Sequence, residues 1–191
     1  MSLEDRAALA IDLPATCATQ CAAAHAPVTP APDAAAIGHA GAAGPAVQRG
    51  HVDVVLPMRY AGVRRLRLAY ELSGPVSGGI SADRHLAASV GYPERGWAGA
   101  VVGADKALDP SRLRLLAFDH VGADGGLDAV IDTADQADAV AALLDALGIA
   151  RLRAFVGYSY GGSVALQFAA RHRTRLERVV VVSAAHRAHP W

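Results

Sequence analysis

The order of apolar and polar residues divides this chain near residue 50. The first 50 residues are rich in Ala, Pro and Gly, and they offer few large side chains for a core. From His51 onward, apolar residues recur at the spacings that strands and helices require. The pattern therefore predicts a flexible extension over residues 1–50 and a folded domain over residues 51–191.

Two stretches of alternating apolar and polar residues open the ordered part. They are His51–Leu56 and Val63–Tyr70, and each has the period of a half-buried strand. The segment Tyr60-Ala61-Gly62 between them has the composition of a turn. We predict an antiparallel hairpin.

Three shorter apolar runs follow, which predict buried strands at Leu113–Phe118, Arg153–Val156 and Val179–Val182. An apolar stripe at helical spacing runs from Thr133 to Leu147, and a second amphipathic stretch runs from Ser163 to His172. The alternation of strands and helices predicts an α/β fold, with a mostly parallel sheet and helices on both faces.

The first of these helices carries a signal at each end. Thr133 and Gln136 have the spacing of a capping box, in which each side chain bonds the backbone N–H of the other residue. Gly148 predicts the end of the helix, because glycine adopts the left-handed conformation that commonly terminates one.

Composition and charge narrow the class of protein. The chain has 191 residues, of which 52% are hydrophobic and 19% charged, as in a globular domain. Its formal net charge is zero, so we expect no nucleic-acid partner. The arginines at Arg64, Arg65 and Arg67, and those between Arg171 and Arg178, are interpreted as solvated faces.

Targeting signals do not stand out in the sequence. No run reaches the roughly 18 apolar residues of a membrane span, so we expect no membrane partner. The start of the chain carries Glu4 and Asp5, and no apolar core of a signal peptide follows. These features predict a cytoplasmic location.

Cys17, Cys21 and His25 have a spacing that would place three ligands on one helix face. Pro14 and Pro27 limit any such helix, and a fourth ligand is not apparent. We therefore expect no metal and no cofactor.

The segment Gly157-Tyr158-Ser159-Tyr160-Gly161 carries the most specific chemistry. It lies between the apolar run Ala154–Val156 and a helical stretch, which is the strand–turn–helix setting of a nucleophilic serine on a sharp elbow. Such an elbow strains the serine backbone and requires glycines on either side. The N–H groups at the start of the next helix can stabilise an oxyanion. The alternative is a Gly-rich turn whose serine caps the helix.

The elbow and the order of elements resemble the α/β-hydrolase superfamily. Further segments resemble the homoserine O-acyltransferases of methionine biosynthesis, and the resemblance covers about residues 50–191. These segments are Gly78–His85, Gly96-Trp97, Val102-Gly103, Ala107–Asp109, Phe118–Gly122, Asp132–Ala137 and Ser183–Pro190.

The resemblance implies a ping-pong acyl transfer. Ser159 would attack the thioester of acetyl-CoA or succinyl-CoA, and L-homoserine, or serine in some relatives, would then take the acyl group. The backbone N–H of Tyr160 would be one oxyanion donor, and the loop at Gly78 and Gly79 would supply the other. The implied ligands are acyl-CoA and L-homoserine, and a homodimer or a complementary C-terminal fragment is the expected protein partner.

Two departures from the family pattern stand out. The family order of serine, acid and histidine places both remaining triad members beyond Trp191, so the chain resembles an N-terminal part that stops before the C-terminal strands and lid. None of His85, His120, His186 and His189 is assigned the role of base, and no acid is assigned.

The second departure concerns the strand before the Gly-Gly loop. Between Tyr70 and Gly78 only Leu72 and Val76 are aliphatic, and Gly74-Pro75 interrupts the run. We predict a poorly formed strand there. In addition, a sheet that ends at Val182 would leave one edge unpaired, which favours self-association.

Two other functions remain open. A serine esterase of the same fold fits the elbow equally well, but it does not explain the Gly78–His85 segment. A catalytically silent remnant acting as an interaction module is consistent with the unassigned base and the weak strand.

Overall fold

The structure is a computed structural model that describes residues 47–73, 76–77 and 83–186. The predicted extension up to residue 46, the Gly78-Gly79 loop and His189 lie outside the described residues. In chain order, the elements are β1 (Gln48–Met58), β2 (Gly62–Ser73), β3 (Val76–Ser77), β4 (Leu115–Phe118), α1 (Thr133–Ala146), β5 (Phe155–Tyr158), α2 (Tyr160–Arg171), a short 3-10 helix (Arg173–Arg175) and β6 (Val179–Val182).

The predicted hairpin is confirmed and is longer than expected. β1 and β2 pair antiparallel from Gln48 opposite Leu72 to Met58 opposite Gly62. Gly62 has a φ of +67°, which glycine adopts at low cost in a tight turn. Alternation buries Leu66 and Leu68 of β2 while Arg65 and Arg67 stay exposed.

The strands form two three-stranded groups, in the orders β1-β2-β4 and β3-β5-β6. β4 pairs antiparallel with β2, whereas β3, β5 and β6 are parallel to one another. β3 also lies beside β4, but it contains only Val76–Ser77. The two groups therefore meet at β3, the strand that the sequence predicted to be poorly formed.

Two strands begin later than the sequence predicted. The prediction of a strand at Arg153–Val156 was wrong by two residues, because the ladder with β6 runs from Phe155 to Tyr158 and includes the first glycine of the elbow. β4 begins at Leu115, since the N–H of Leu113 bonds the Asp109 carbonyl in a preceding turn.

Helix α1 is confirmed, but its capping box lies one residue earlier than predicted. Asp132, not Thr133, is the N-cap, and one of its carboxylate oxygens accepts from the N–H groups of Ala134 and Asp135, each at 2.9 Å. Asp135 in turn accepts from the N–H of Asp132 at 3.2 Å. At the other end, Gly148 has a φ of +66°, as its predicted role in helix termination requires.

Both helices of the described residues lie on one face of the strands. α1 packs against α2 and β1, and together they bury an apolar core that reaches both strand groups through Leu116 and Phe155. This core combines strands and covering helices as an α/β-hydrolase-like fold does.

A turn-rich segment covers the opposite face where the sequence predicted helices. Leu86, Ala98 and Val102 of this segment pack against Leu115 and Ala117 of β4. The backbone approaches itself closely here, because a Cβ on Gly96 would collide with the backbone of Leu86.

The far edge of the parallel group is exposed. Within the described part of the chain β6 pairs only with β5, and Val179 and Val182 are 38% and 43% exposed. No helix in that part is long and apolar enough to cross a bilayer.

Candidate active site

Ser159 occupies the turn between β5 and α2 in a strained backbone conformation. Its φ is +53° and its ψ is −122°, a region that costs a non-glycine residue about 1–3 kcal/mol. Its N–H donates to the Val182 carbonyl at 2.8 Å, and its own carbonyl accepts from Gly162 at 2.9 Å. The side chain is exposed. The fold thus holds a serine in an unfavourable geometry that points its hydroxyl outward.

Glycines, which have no side chain, make this turn possible. A Cβ on Gly157 would collide with the carbonyl oxygen of Gly161, so the strand can approach the helix only through glycine. The sequence argument missed Gly162, where a Cβ would lie 2.6 Å from the Cβ of Ala184. The doubled glycine in the sequence was the available signal, and it lets the loop after β6 cross the first turn of α2.

The alternative role of Ser159 as a helix cap is contradicted. Ser159 occupies the N-cap position of α2, but its side chain makes no capping hydrogen bond. A capping serine would accept from an N–H in the first turn of the helix. The hydroxyl is therefore not used to stabilise the helix.

The N–H of Tyr160 lies where the sequence predicted an oxyanion donor. Tyr160 is the first residue of α2, and the first four N–H groups of a helix have no partner within it. These groups also carry the positive end of the helix dipole. The second predicted donor loop, at Gly78 and Gly79, lies outside the described residues.

The side chain of Tyr160 holds this turn against the rest of the fold. Burial raises the pKa of its phenol, although a hydrogen bond with Gln136 acts in the opposite direction. Its ring meets the His120 ring edge-to-face with 5.1 Å between centroids. Ser159 is thus followed by a side chain that packs between α1 and the end of β4.

Gln136 is a buried residue of α1 close to Tyr160, and the prediction that placed it in the capping box was wrong. It is 3% exposed, and its amide accepts from the Val121 N–H at 2.9 Å and donates to the Val121 carbonyl at 3.0 Å. These two bonds tie the loop after β4 to helix α1, beside the Tyr160 phenol whose pKa Gln136 lowers. Nothing in a local pattern distinguishes this role from that of a cap.

His120 and His85, which were not assigned as the base from the sequence, make contacts of their own. His120 is 5% exposed and its ring packs between Phe118 and Tyr160. His85 donates from Nε2 to the Glu94 carbonyl at 2.8 Å, and its Nδ1 lies 2.6 Å from Arg49 Nη2.

His186 is exposed, in the loop after β6. Over residues 47–73, 76–77 and 83–186, no histidine forms a hydrogen bond with the Ser159 hydroxyl, and no cluster of three metal-ligating side chains occurs.

A cavity of about 490 Å³ lies beside this site, between β2 and the loop that follows β4. His120 lines it, together with residues 65–69 of β2. At its margin, Asp119 accepts from the backbone N–H of Arg84 at 2.7 Å and forms an ion pair with the Arg84 guanidinium. This contact joins the segment after β3 to the end of β4.

Similarity to known proteins agrees with this architecture. Residues 88–191 match the family described as the alpha/beta hydrolase fold. A homoserine O-succinyltransferase from Xanthomonas campestris pv. campestris is 64% identical over 154 residues, covering 77% of this chain and 42% of the relative. A serine O-succinyltransferase from the same species is 32% identical over 164 residues, covering 71% of this chain and 43% of the relative.

Among solved structures, the homoserine O-acetyltransferase from Bacillus anthracis superposes with a TM-score of 0.60 and 22% identity, covering 71% of this chain and 46% of that one. At that identity the likeness supports the fold. The chain spans about two fifths of the length of the curated relatives described above.

Proposed function

This chain belongs to the α/β-hydrolase fold family, and we propose that it transfers an acyl group from acyl-CoA to the hydroxyl of L-homoserine through an acyl-serine at Ser159. The observation that carries the proposal is the exposed, strained Ser159, which makes no capping hydrogen bond at the N-terminus of α2. Strained backbone conformations of non-glycine residues cluster at active sites.

The choice of substrates rests on the relatives. The 64% identical protein is named for succinyl transfer to homoserine, and the 32% identical protein for succinyl transfer to serine. We therefore take succinyl-CoA as the first donor to test, acetyl-CoA as the second, and L-homoserine as the first acceptor. The product would be an O-acylhomoserine, as in methionine biosynthesis.

In the proposed reaction the Ser159 hydroxyl attacks the thioester carbonyl and passes its proton to a base. The carbonyl oxygen becomes an oxyanion that accepts from the Tyr160 N–H. The carbon–sulfur bond then breaks, and CoA leaves as the thiol with a proton from the same base. The homoserine hydroxyl then attacks the acyl-serine ester and passes its proton to the base. The bond between the acyl group and the Ser159 oxygen breaks, and Ser159 leaves as the free hydroxyl with a proton from the base.

A serine requires a base to react at neutral pH, commonly a histidine oriented by a carboxylate. We propose that both come from outside the described residues, in agreement with the family order of serine, acid and histidine.

The first experiment is to incubate the chain with succinyl-CoA or acetyl-CoA and to locate any adduct by peptide mass spectrometry. We expect an acyl group on Ser159, none in Ser159→Ala, and an unchanged adduct in Ser163→Ala, which removes a hydroxyl from the same helix turn. No adduct in the wild-type chain, even with the remaining C-terminal portion of a relative added, would overturn the proposal.

A second step separates the acceptors. The acyl-enzyme is mixed with homoserine, with serine or with buffer alone, and the loss of the adduct is followed over time. We expect homoserine to discharge it fastest. Discharge by water at the same rate would identify an esterase instead.

A further inference from the structure

The cavity beside His120 has the size of a ligand site. Its volume of about 490 Å³ falls within the range of roughly 300–1,000 Å³ that is common for small-molecule pockets. One wall is β2 from Arg65 to Ala69, which extends past the end of its pairing with β4. The other wall is the loop from Asp119 to Leu127.

Two arginines on this wall have no partner among the residues that the structure describes. Arg65 and Arg67 lie on the exposed side of β2, opposite in direction to the buried Leu66 and Leu68. In the part of the chain that the structure describes, neither arginine forms a hydrogen bond or an ion pair, although Asp53 stands opposite Arg67 in the hairpin register. The sequence alone favoured a solvated face, but the structure places both residues on the wall of a cavity.

The carboxylates of the cavity are already engaged. Asp119 is paired with Arg84, and Asp124 accepts from the Gly126 N–H at 2.9 Å. Among the arginines and carboxylates of the lining, three arginines face two carboxylates. The positive charge that remains is therefore carried by the two unpaired arginines, which favours an anionic ligand.

One ring contact connects the cavity with the residue next to Ser159. His120 lines the cavity, and its ring packs against Tyr160, the residue after Ser159. A ligand that reacts at Ser159 and also reaches the cavity needs a reactive group at one end and a negative group well removed from it. Acyl-CoA has this form, because its pantetheine arm separates the thioester from the phosphates.

We propose that Arg65 and Arg67 bind phosphate groups of the acyl-CoA donor in this cavity. The proposal rests on the proposed function, because it names the donor-binding groups of that reaction. The carboxylates of homoserine and of a succinyl group are less suitable ligands, since only a few bonds separate them from the reacting atoms. Arginine matches phosphate by its planar pair of N–H donors.

The test compares two donors that differ in their phosphates. Succinyl-CoA contains them, and the succinyl thioester of N-acetylcysteamine presents the same reactive group without them. Acylation of Ser159 in a single turnover is followed by mass spectrometry for the full chain and for the Arg65→Ala/Arg67→Ala variant. Arg64→Ala is the matched control, because it removes a neighbouring exposed arginine that does not line the cavity.

We expect the double variant to need about tenfold more succinyl-CoA for half-maximal acylation, as the loss of charge-assisted hydrogen bonds implies. The short thioester should react equally with all three proteins. An equal loss for both donors, or the same loss in Arg64→Ala, would overturn the proposal.

A binding measurement keeps this test separate from the catalytic proposal. Titration calorimetry with CoA itself should give weaker binding to the double variant than to the wild type or Arg64→Ala, and high salt should reduce the difference. Equal CoA binding by all three proteins, or no binding by the wild type, would overturn the phosphate site. Binding as expected without acylation of Ser159 would instead count against the proposed reaction.

Discussion

The two strand groups hold their functional residues in different ways. In the parallel group, Ser159 is fixed by backbone contacts that leave no space for a Cβ on Gly157. In the antiparallel group, Arg65 and Arg67 lie on the exposed side of β2 and line an open cavity. The backbone at Ser159 is therefore set by steric constraint, whereas the positions of Arg65 and Arg67 require only an exposed strand face and a neighbouring loop. The two regions should therefore differ sharply in their tolerance of substitution.

The largest effect is expected at Gly157. Gly157→Ala would push a methyl group into the Gly161 carbonyl, which is backbone and cannot rotate away. We expect the free energy of unfolding to fall by about 3 kcal/mol, measured by urea denaturation. Gly91→Ala is the control, because a Cβ there meets nothing within 4 Å. Similar losses in the two variants would refute a steric constraint specific to the elbow.

The next effect is expected where α1 connects the two regions. Gln136→Ala removes both hydrogen bonds to the Val121 backbone. We expect a loss of about 2 kcal/mol in the free energy of unfolding, since buried polar groups lose their partners. Thr133→Ala should cost less, because Thr133 is not the cap that the sequence suggested. An equal cost for both substitutions would contradict this assignment.

A smaller effect of opposite sign is expected at Ser159. Ser159→Gly relieves the strain of a φ of +53°, so the free energy of unfolding should rise by about 1 kcal/mol while acylation is lost. Ser159→Ala removes the same hydroxyl but keeps the Cβ, so it should bring no comparable gain. If thermal melts showed both variants to be equally stable, the strained backbone at Ser159 would not lower the stability of the fold.

A pH-dependent effect is expected at the contact between α1 and α2. Burial raises the pKa of the Asp138 carboxyl, but hydrogen bonds from Arg171 and His172 outweigh it and leave that pKa below its ordinary value. A carboxyl whose pKa is lower in the folded state stabilises the fold above its unfolded pKa, and this contribution is lost as pH falls through the folded value.

Asp138→Asn should therefore reduce the loss of stability between about pH 5 and pH 3, measured by urea denaturation at each pH. Asp128→Asn, which removes an exposed carboxylate, should follow the wild-type pH dependence. Parallel curves for wild type and Asp138→Asn would contradict the role of this contact.

The smallest effect on stability is expected in the cavity. Arg65→Ala/Arg67→Ala should change the free energy of unfolding by no more than about 0.5 kcal/mol, because both side chains are exposed and without protein partners in the described part of the chain. A loss comparable to that of Gly157→Ala would mean that these arginines support the fold, and the contrast between the two regions would fail.

The elbow, the hairpin and helix α1 could be predicted from the sequence because each depends on short-range rules. Alternation determines which residues of β2 are buried, and glycines next to a serine indicate a turn that only they permit. Helix termini were harder to place. Thr133 with Gln136 and Asp132 with Asp135 have the same spacing, and the choice depends on side-chain positions in the folded chain.

Residues that act across the fold could not be predicted in this way. Gln136 bonds a backbone 15 positions away, and His120 meets a ring that follows another strand. The arginines of β2 form a periodic pattern in the sequence, which predicts a solvated face. A cavity forms at this face only because the loop from Asp119 to Leu127 lies opposite it. The sequence by itself determined the strained serine, since the constraint is local. The tertiary structure decided what surrounds it, because those neighbours are brought together only when distant segments pack.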